Sequence, residues 1–233
     1  IPVRDNSTTA ETTYQATATV ASNKKLTIQV NSATSTDKVK NTTKTISYTY
    51  DTYNNPLTES INYGGGITTL TSQTYLNATG TPYILGVPGT KTVTRTRGGS
   101  SWIDKEEILY FPNYLPKLKR TYTGTGGTLK TAEVRWNYDS NGNLTSETSA
   151  PYDVTDFIGT NYAYDATGRY PASETNAFGQ TTTYSNYDKY GNARTITNHK
   201  GQATTRNFDQ WGQLTSVVYP YGVTESTSYS WGS

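Results

Sequence analysis

Val134, Trp136 and Tyr138 share one parity along the chain, and Arg135 and Asn137 take the other. Successive side chains of a strand point to opposite faces, so this alternation predicts a β-strand with one apolar face. Ile46, Tyr48 and Tyr50 alternate in the same way, as do Leu26, Ile28 and Val30. Two of these runs end on an aromatic followed by aspartate: Tyr50-Asp51-Thr52-Tyr53-Asn54-Asn55 and Tyr138-Asp139-Ser140-Asn141-Gly142-Asn143. The unit returns at Tyr164-Asp165 to Gly168-Arg169, Tyr187-Asp188 to Gly191-Asn192, and Phe208-Asp209 to Gly212-Gln213. Leu144 and Leu214 follow as the first apolar residues of return strands. The glycine supplies the positive φ that a tight turn needs. The aspartate can accept hydrogen bonds from its own turn. The aromatic is placed to pack on its equivalent in the next hairpin.

Spacing turns these fragments into a repeat. From residue 131 the turn glycines are Gly142, Gly168, Gly179, Gly191, Gly201, Gly212 and Gly222, mostly 10–12 apart. The aromatic–aspartate turns are 26, 23 and 21 apart. One copy is therefore a two-stranded hairpin. Weaker turns at Asn176-Ala177-Phe178-Gly179, Asn198-His199-Lys200-Gly201 and Tyr219-Pro220-Tyr221-Gly222 close its other end. The expected fold is all-β: repetitive antiparallel hairpins in one continuous meander. About 14 strands at about 4.8 Å would make a strip of roughly 65 Å.

The first half reads less regularly. Residues 1–130 form a degenerate Thr/Ser-rich β region with one such hairpin, and 131–233 hold the regular copies. Gly64-Gly65-Gly66 is a turn, and Thr81 to Thr90 is a turn feeding a strand over 91–97. Residues 102–118 are expected to be irregular. Asp104 to Leu109 suits a short helical turn, and Pro112 and Pro116 interrupt regular structure.

Composition supports a β protein over a disordered one. Only 32% of the 233 residues are hydrophobic, yet there are 21 Tyr and 4 Trp, and 16% are charged; disordered chains are poor in aromatics and rich in charge. The net charge of +2 argues against a nucleic-acid binder. It conceals +6 over residues 1–130 and −4 over 131–233. With no Cys there is no disulfide framework or thiolate metal site. No apolar run approaches membrane-spanning length. The absence of an initiating Met suggests a piece of a longer chain.

Signals for chemistry are weak. The lone His199 falls in a turn. Ser22-Asn23-Lys24-Lys25 fits S-x-x-K without companion motifs. Asp104, Glu106, Glu107, Asp153 and Asp156 are the acids that could pair as in a glycosidase. Asp139 to Asn143 offers alternate oxygens, but Leu144 and Ala150 stand where a calcium loop wants Gly and Glu. The reading is of no enzyme, no catalytic or metal residue and no cofactor. Trp102, Trp136, Trp211 and Trp231 are candidates for stacking on sugar rings. Asn6, Asn41, Asn77 and Asn143 head N-x-S/T sequons in a chain already rich in both residues.

The in-register turns at Tyr138, Tyr164, Tyr187 and Phe208, with Gly80-Thr81-Pro82-Tyr83-Ile84-Leu85-Gly86, resemble the RHS/YD-repeat family. Tyr50, Asp51, Asp139, Gly142, Asp165, Gly168, Asp188, Gly191, Asp209 and Gly212 are then structural repeat residues. The resemblance implies a hairpin strip spiralling into a hollow shell. In bacterial toxin complexes that shell encloses a C-terminal toxic domain; in animal relatives it serves adhesion. It further implies a secreted or cell-surface wall segment whose partners are its own shell and a cargo domain. The alternative is an adhesive or carbohydrate-binding module. The aspartate–proline–glycine motif of the family's self-cleaving core is missing here.

Overall fold

The computed structural model describes residues 10–20, 26–125 and 128–229. They form two compact units, the first reaching Glu133 with Pro151–Asp153, the second holding Val134–Ala150 and the residues from Val154 on. Among the described residues the structure is strand and turn, apart from one 3-10 turn at Pro220–Gly222.

The first unit contains β1 (Ala10–Val20), β2 (Leu26–Asp37), β3 (Thr42–Tyr50), β4 (Pro56–Gly64), β5 (Ile67–Ala78), β6 (Ile84–Arg97), β7 (Ser100–Tyr110) and β8 (Pro116–Thr125). Residues 128–133 of β9 (Thr128–Tyr138) also belong to it. Each strand from β1 to β8 pairs antiparallel with its sequence neighbour. The second unit takes the rest of β9, then β10 (Leu144–Ala150), β11 (Ile158–Tyr164), β12 (Pro171–Thr175), β13 (Thr181–Tyr187), β14 (Ala193–Thr197), β15 (Ala203–Phe208), β16 (Leu214–Val218) and β17 (Thr224–Ser226). Its strands pair in the same sequential, antiparallel way.

Among the described residues seventeen strands therefore stand where about fourteen were expected. Part of the surplus lies in 102–118, which is not irregular. Residues 102–110 lie in β7, Pro116 opens β8, and only 111–115 turns. Asp104 to Leu109 is strand, not helix, because Asp104 to Glu107 have partners on both sides and Ile108 and Leu109 pair with β8: Glu106, for example, sits between Lys91 and Thr121. That pairing outweighs the local helix preference of Lys and Glu. Likewise β6 starts at Ile84, before the expected 91.

No described side chain is fully buried, and the buried apolar residues are Ala33, Leu118, Ala150 and Ala193. In β3, Lys44, Ile46, Tyr48 and Tyr50 are half-buried while Thr43, Thr45, Ser47 and Thr49 are exposed. Shielding comes from lateral neighbours on the same face, the unit of sheet stabilisation. Thr49–Thr58 (2.7 Å) and Thr74–Thr90 (2.8 Å) hydroxyl pairs link strands on the polar face.

Candidate functional site

The repeat residues assemble one local device many times over. In the turn of 139–143, the Asp139 N–H donates to the Asn143 carbonyl (2.9 Å) and the Gly142 N–H returns to the Asp139 carbonyl (3.1 Å). The Asp139 carboxylate faces into the loop. It accepts from the Asn141 N–H (2.8 Å), the Asn143 N–H (2.9 Å) and the Asn143 side-chain amide (3.0 Å). Turns 51–55 and 188–192 repeat every one of these bonds, and 209–213 repeats the backbone pair and the two amide bonds to Asp209. Turn 165–170 is one residue longer and adds the Thr167 hydroxyl. At the other strand ends Asn176 and Asn198 build the same loop with polarity reversed: their amides donate to Gln180 and Gln202, each at 2.9 Å.

The Asn143 side-chain amide, then its backbone N–H, holds Asp139 below the usual carboxylate range. For Asp51, Asp165 and Asp188 desolvation pushes upward, and hydrogen bonds from their own loops outweigh it, so these too sit low. A carboxylate committed to its own amides is a structural anchor. Among the described residues no three His, Cys, Asp or Glu come together as a metal set.

Several tyrosines at the ends of these strands tie one hairpin to the previous one through their hydroxyls. Tyr164 donates to the Leu144 carbonyl (3.1 Å), Tyr187 to that of Pro171 (2.5 Å), and Tyr229 to that of Leu214 (3.1 Å). Tyr50 and Tyr110 reach Val30 and Pro88 similarly. The acceptors in the second unit are the first residues after the preceding turns. Neighbouring turns also touch: the Tyr190 ring lies against Gly212, its hydroxyl donating to the Gln210 carbonyl (2.5 Å), and Asn143 donates to the Gly168 carbonyl (2.8 Å).

Sequence reasoning placed irregular chain at 110–116 and missed that 111–115 is another of these turns. It carries the same backbone pair, Phe111 N–H to Leu115 O and Tyr114 N–H to Phe111 O, both 2.9 Å. Phe111 replaces the aspartate, and Tyr114, at φ +64°, replaces the glycine. The available signal was proline: Pro116 follows Tyr110 at the interval by which Pro56 follows Tyr50.

Trp102 lies in the first unit; Trp136 and Trp211 lie in the second; Trp231 lies outside the described residues. The Trp102 indole N–H donates to Asp104 (3.0 Å) and that of Trp136 to Glu147 (2.7 Å), which fixes both rings on the sheet. Trp211 sits at a turn tip, 69% exposed. Asp104 also accepts from Arg95 and from Thr123 (2.7 Å), Glu106 pairs with Lys119 (2.9 Å), Glu107 with Arg120 (3.7 Å), and Asp153 with Lys130 (3.8 Å). His199 is exposed in turn 198–202. Asn77 and Asn143 spend their amides in hydrogen bonds, to Asp51 (3.2 Å) and to Asp139 and Gly168, while Asn41 is exposed. Asn6 and Ser22 to Lys25 lie outside the described residues.

The second unit instead offers an aromatic recess of about 360 Å³, lined by Tyr162, Tyr184, Tyr187, Glu174 and Arg206. Burial, then a hydrogen bond to Glu174, pushes the Tyr184 hydroxyl up to about 12. The Tyr187 ring stacks on Tyr170 at 4.7 Å and 14°.

Residues 187–224 match the family model for the RHS Repeat, a stretch holding turns 188–192 and 209–213. The chain has no match among curated proteins. Among solved structures it is similar to the crystal structure of TcdB2-TccC3, with TM-score 0.63 and 11% identity over 92% of this chain. It is similar to TcdB2-TccC3-TEV (0.64, 11%, 91%) and to TcdB2-TccC3-Cdc42 (0.63, 11%, 92%). The chain spans 16% of the length of each. Its fold is that of the segments it matches, and the RHS Repeat match lies at residues 187–224.

Proposed function

We propose that this RHS-repeat chain is a length of wall in an exported β-shell that encloses a cargo domain C-terminal to it. The observation that carries this reading is the lack of any fully buried side chain among the described residues. Such a sheet is stabilised within its own plane and serves as a partition with two usable faces. Its turn-and-ladder device adds one hairpin at a time, so the strip is extensible. The partners are the rest of the shell and the cargo, the setting is secreted or cell-surface, and the wall performs no catalysis. The test is protease protection in the full natural protein. The C-terminal domain survives protease while the wall is folded and is digested once urea opens it. Digestion as fast as that of the isolated domain refutes enclosure.

The Tyr162–Tyr184–Arg206 recess favours a second reading, a carbohydrate-binding module. Aromatic faces flanked by a carboxylate and a guanidinium suit a sugar's apolar face and hydroxyl rim. This reading expects glycan-array binding that Tyr184→Ala abolishes; a blank array on folded protein removes it.

A further inference from the structure

Turn 111–115 departs from its relatives in chemistry. Turns 51–55, 139–143, 188–192 and 209–213 each open on an aspartate that accepts amides of its own loop. Phe111 stands in that place here, and the Asn113 side chain accepts a single amide, that of Leu115 (3.2 Å). Tyr114 holds φ +64°, a conformation costly for a bulky side chain. Departures of this kind gather at functional sites. Phe111, Pro112 and Tyr114 line a recess of about 730 Å³, to which β5 contributes Leu76, β7 Leu109 and β8 Lys117. Its strands β5, β6 and β7 each pair on both sides, so a wall that continues beyond either end of the chain leaves the recess in place.

The apolar part of the lining is open. Leu76 and Leu109 are 44% and 43% exposed. The polar part is largely engaged. The Thr74 and Thr90 hydroxyls bond each other (2.8 Å). Asn77 donates to Asp51 (3.2 Å) and accepts from the Gly86 N–H (2.8 Å). The Tyr110 hydroxyl donates to the Pro88 carbonyl (2.7 Å). Glu107 accepts from Tyr122 (3.2 Å) and pairs with Arg120 (3.7 Å) and Lys105 (3.8 Å), so its charge is answered. Lys117 differs. Its ammonium lies 5.5 Å from the centre of the Phe111 ring and, among the described residues, pairs with no carboxylate.

We propose that this recess binds a free alkyl carboxylate, its chain laid on Leu76, Leu109, Phe111 and Tyr114 and its head on the Lys117 ammonium. An apolar lining with one unanswered cation is complementary to one hydrocarbon tail carrying one negative charge. The volume is that of a small-molecule site. A sugar would need several unengaged donors and acceptors, and most of those present are taken. A cationic amphiphile would meet Lys117 with like charge. The proposal goes beyond enclosure and does not depend on it.

Titration calorimetry with decanoate tests it. The wild-type chain should bind decanoate saturably, one to one. Octanoate should bind about fourfold more weakly, the worth of two half-covered methylenes. Decanol should bind about fivefold more weakly than decanoate, the worth of one exposed ion pair. Lys117→Gln should erase the preference for decanoate while leaving decanol affinity and far-ultraviolet circular dichroism unchanged. Leu109→Asp should weaken both ligands. A flat wild-type titration overturns the proposal. So does decanol binding as tightly as decanoate, or a preference for decanoate that survives Lys117→Gln.

Discussion

Alanine at Gly212 should cost more than alanine at Gly179, although both glycines hold the fourth position of a five-residue turn. Their φ values are +81° and +74°, so each substitution incurs the left-handed penalty of about 1–2 kcal/mol. At Gly179 a Cβ meets nothing within 4 Å. At Gly212 it meets the Tyr190 ring, with Cδ2 at 3.0 Å and Cγ at 3.3 Å. Tyr190 must swing away, leaving a good rotamer at about 0.5–1.5 kcal/mol and losing its bond to the Gln210 carbonyl at about 0.5–1.5 kcal/mol. Tyr190 is half exposed, so the low end applies, and the extra cost is about 1 kcal/mol or more. Repeat arrays unfold locally, so the assay is hydrogen exchange of peptides spanning 187–214 against 171–187. Gly179→Ala should speed exchange in its own turn by about five- to thirtyfold. Gly212→Ala should add about fivefold and extend into turn 188–192. Equal effects confined to each substituted turn would refute the idea that adjacent turns support one another.

Phe208 interrupts the hydroxyl ladder, since Tyr164, Tyr187 and Tyr229 each reach the residue after the preceding turn and Phe208 cannot. Phe208→Tyr should donate to the Ala193 carbonyl and raise stability by about 1 kcal/mol, read as a higher urea midpoint. The lowered carboxyls of Asp51, Asp139, Asp165 and Asp188 set the acid limit. Their stabilisation is complete above the unfolded value near 3.9 and is lost as pH falls through the lower folded values. Thermal midpoints from pH 6 to 2 should therefore drop mainly below about pH 4, and less steeply in Asp139→Asn. Tyr184 works in the opposite direction. Its stabilisation is complete below about pH 10 and is lost as pH rises through about 12, so Tyr184→Phe should flatten the fall in thermal midpoint measured from about pH 9 upward.

Much of the fold was legible because its signals are local. Asp139, Gly142 and Asn143 satisfy one another within five residues, so their spacing states the turn completely. The turn of 111–115 was hidden because Phe111 and Tyr114 carry none of that chemistry. Its backbone bonds are held by the strands on either side, β7 against β8 from Trp102–Thr125 to Tyr110–Pro116. The strand in Asp104–Leu109 was masked for the same reason, its local composition favouring a helix that only cross-strand partners overrule. The tryptophans stood out by residue type, whereas the recess collects Tyr162, Glu174, Tyr184 and Arg206 from four strands at no fixed interval.

By itself, then, the sequence determined the repeating element: a hairpin closed by an aromatic–aspartate–glycine turn, and hence an all-β chain of repeated hairpins. Only the tertiary structure decided how hairpins lock together, through tyrosine hydroxyls reaching carbonyls 15 to 22 residues earlier. Turn chemistry acts between residues a few positions apart and is written in order along the chain. Lateral support depends on which strand lies alongside, and sequence distance does not encode it.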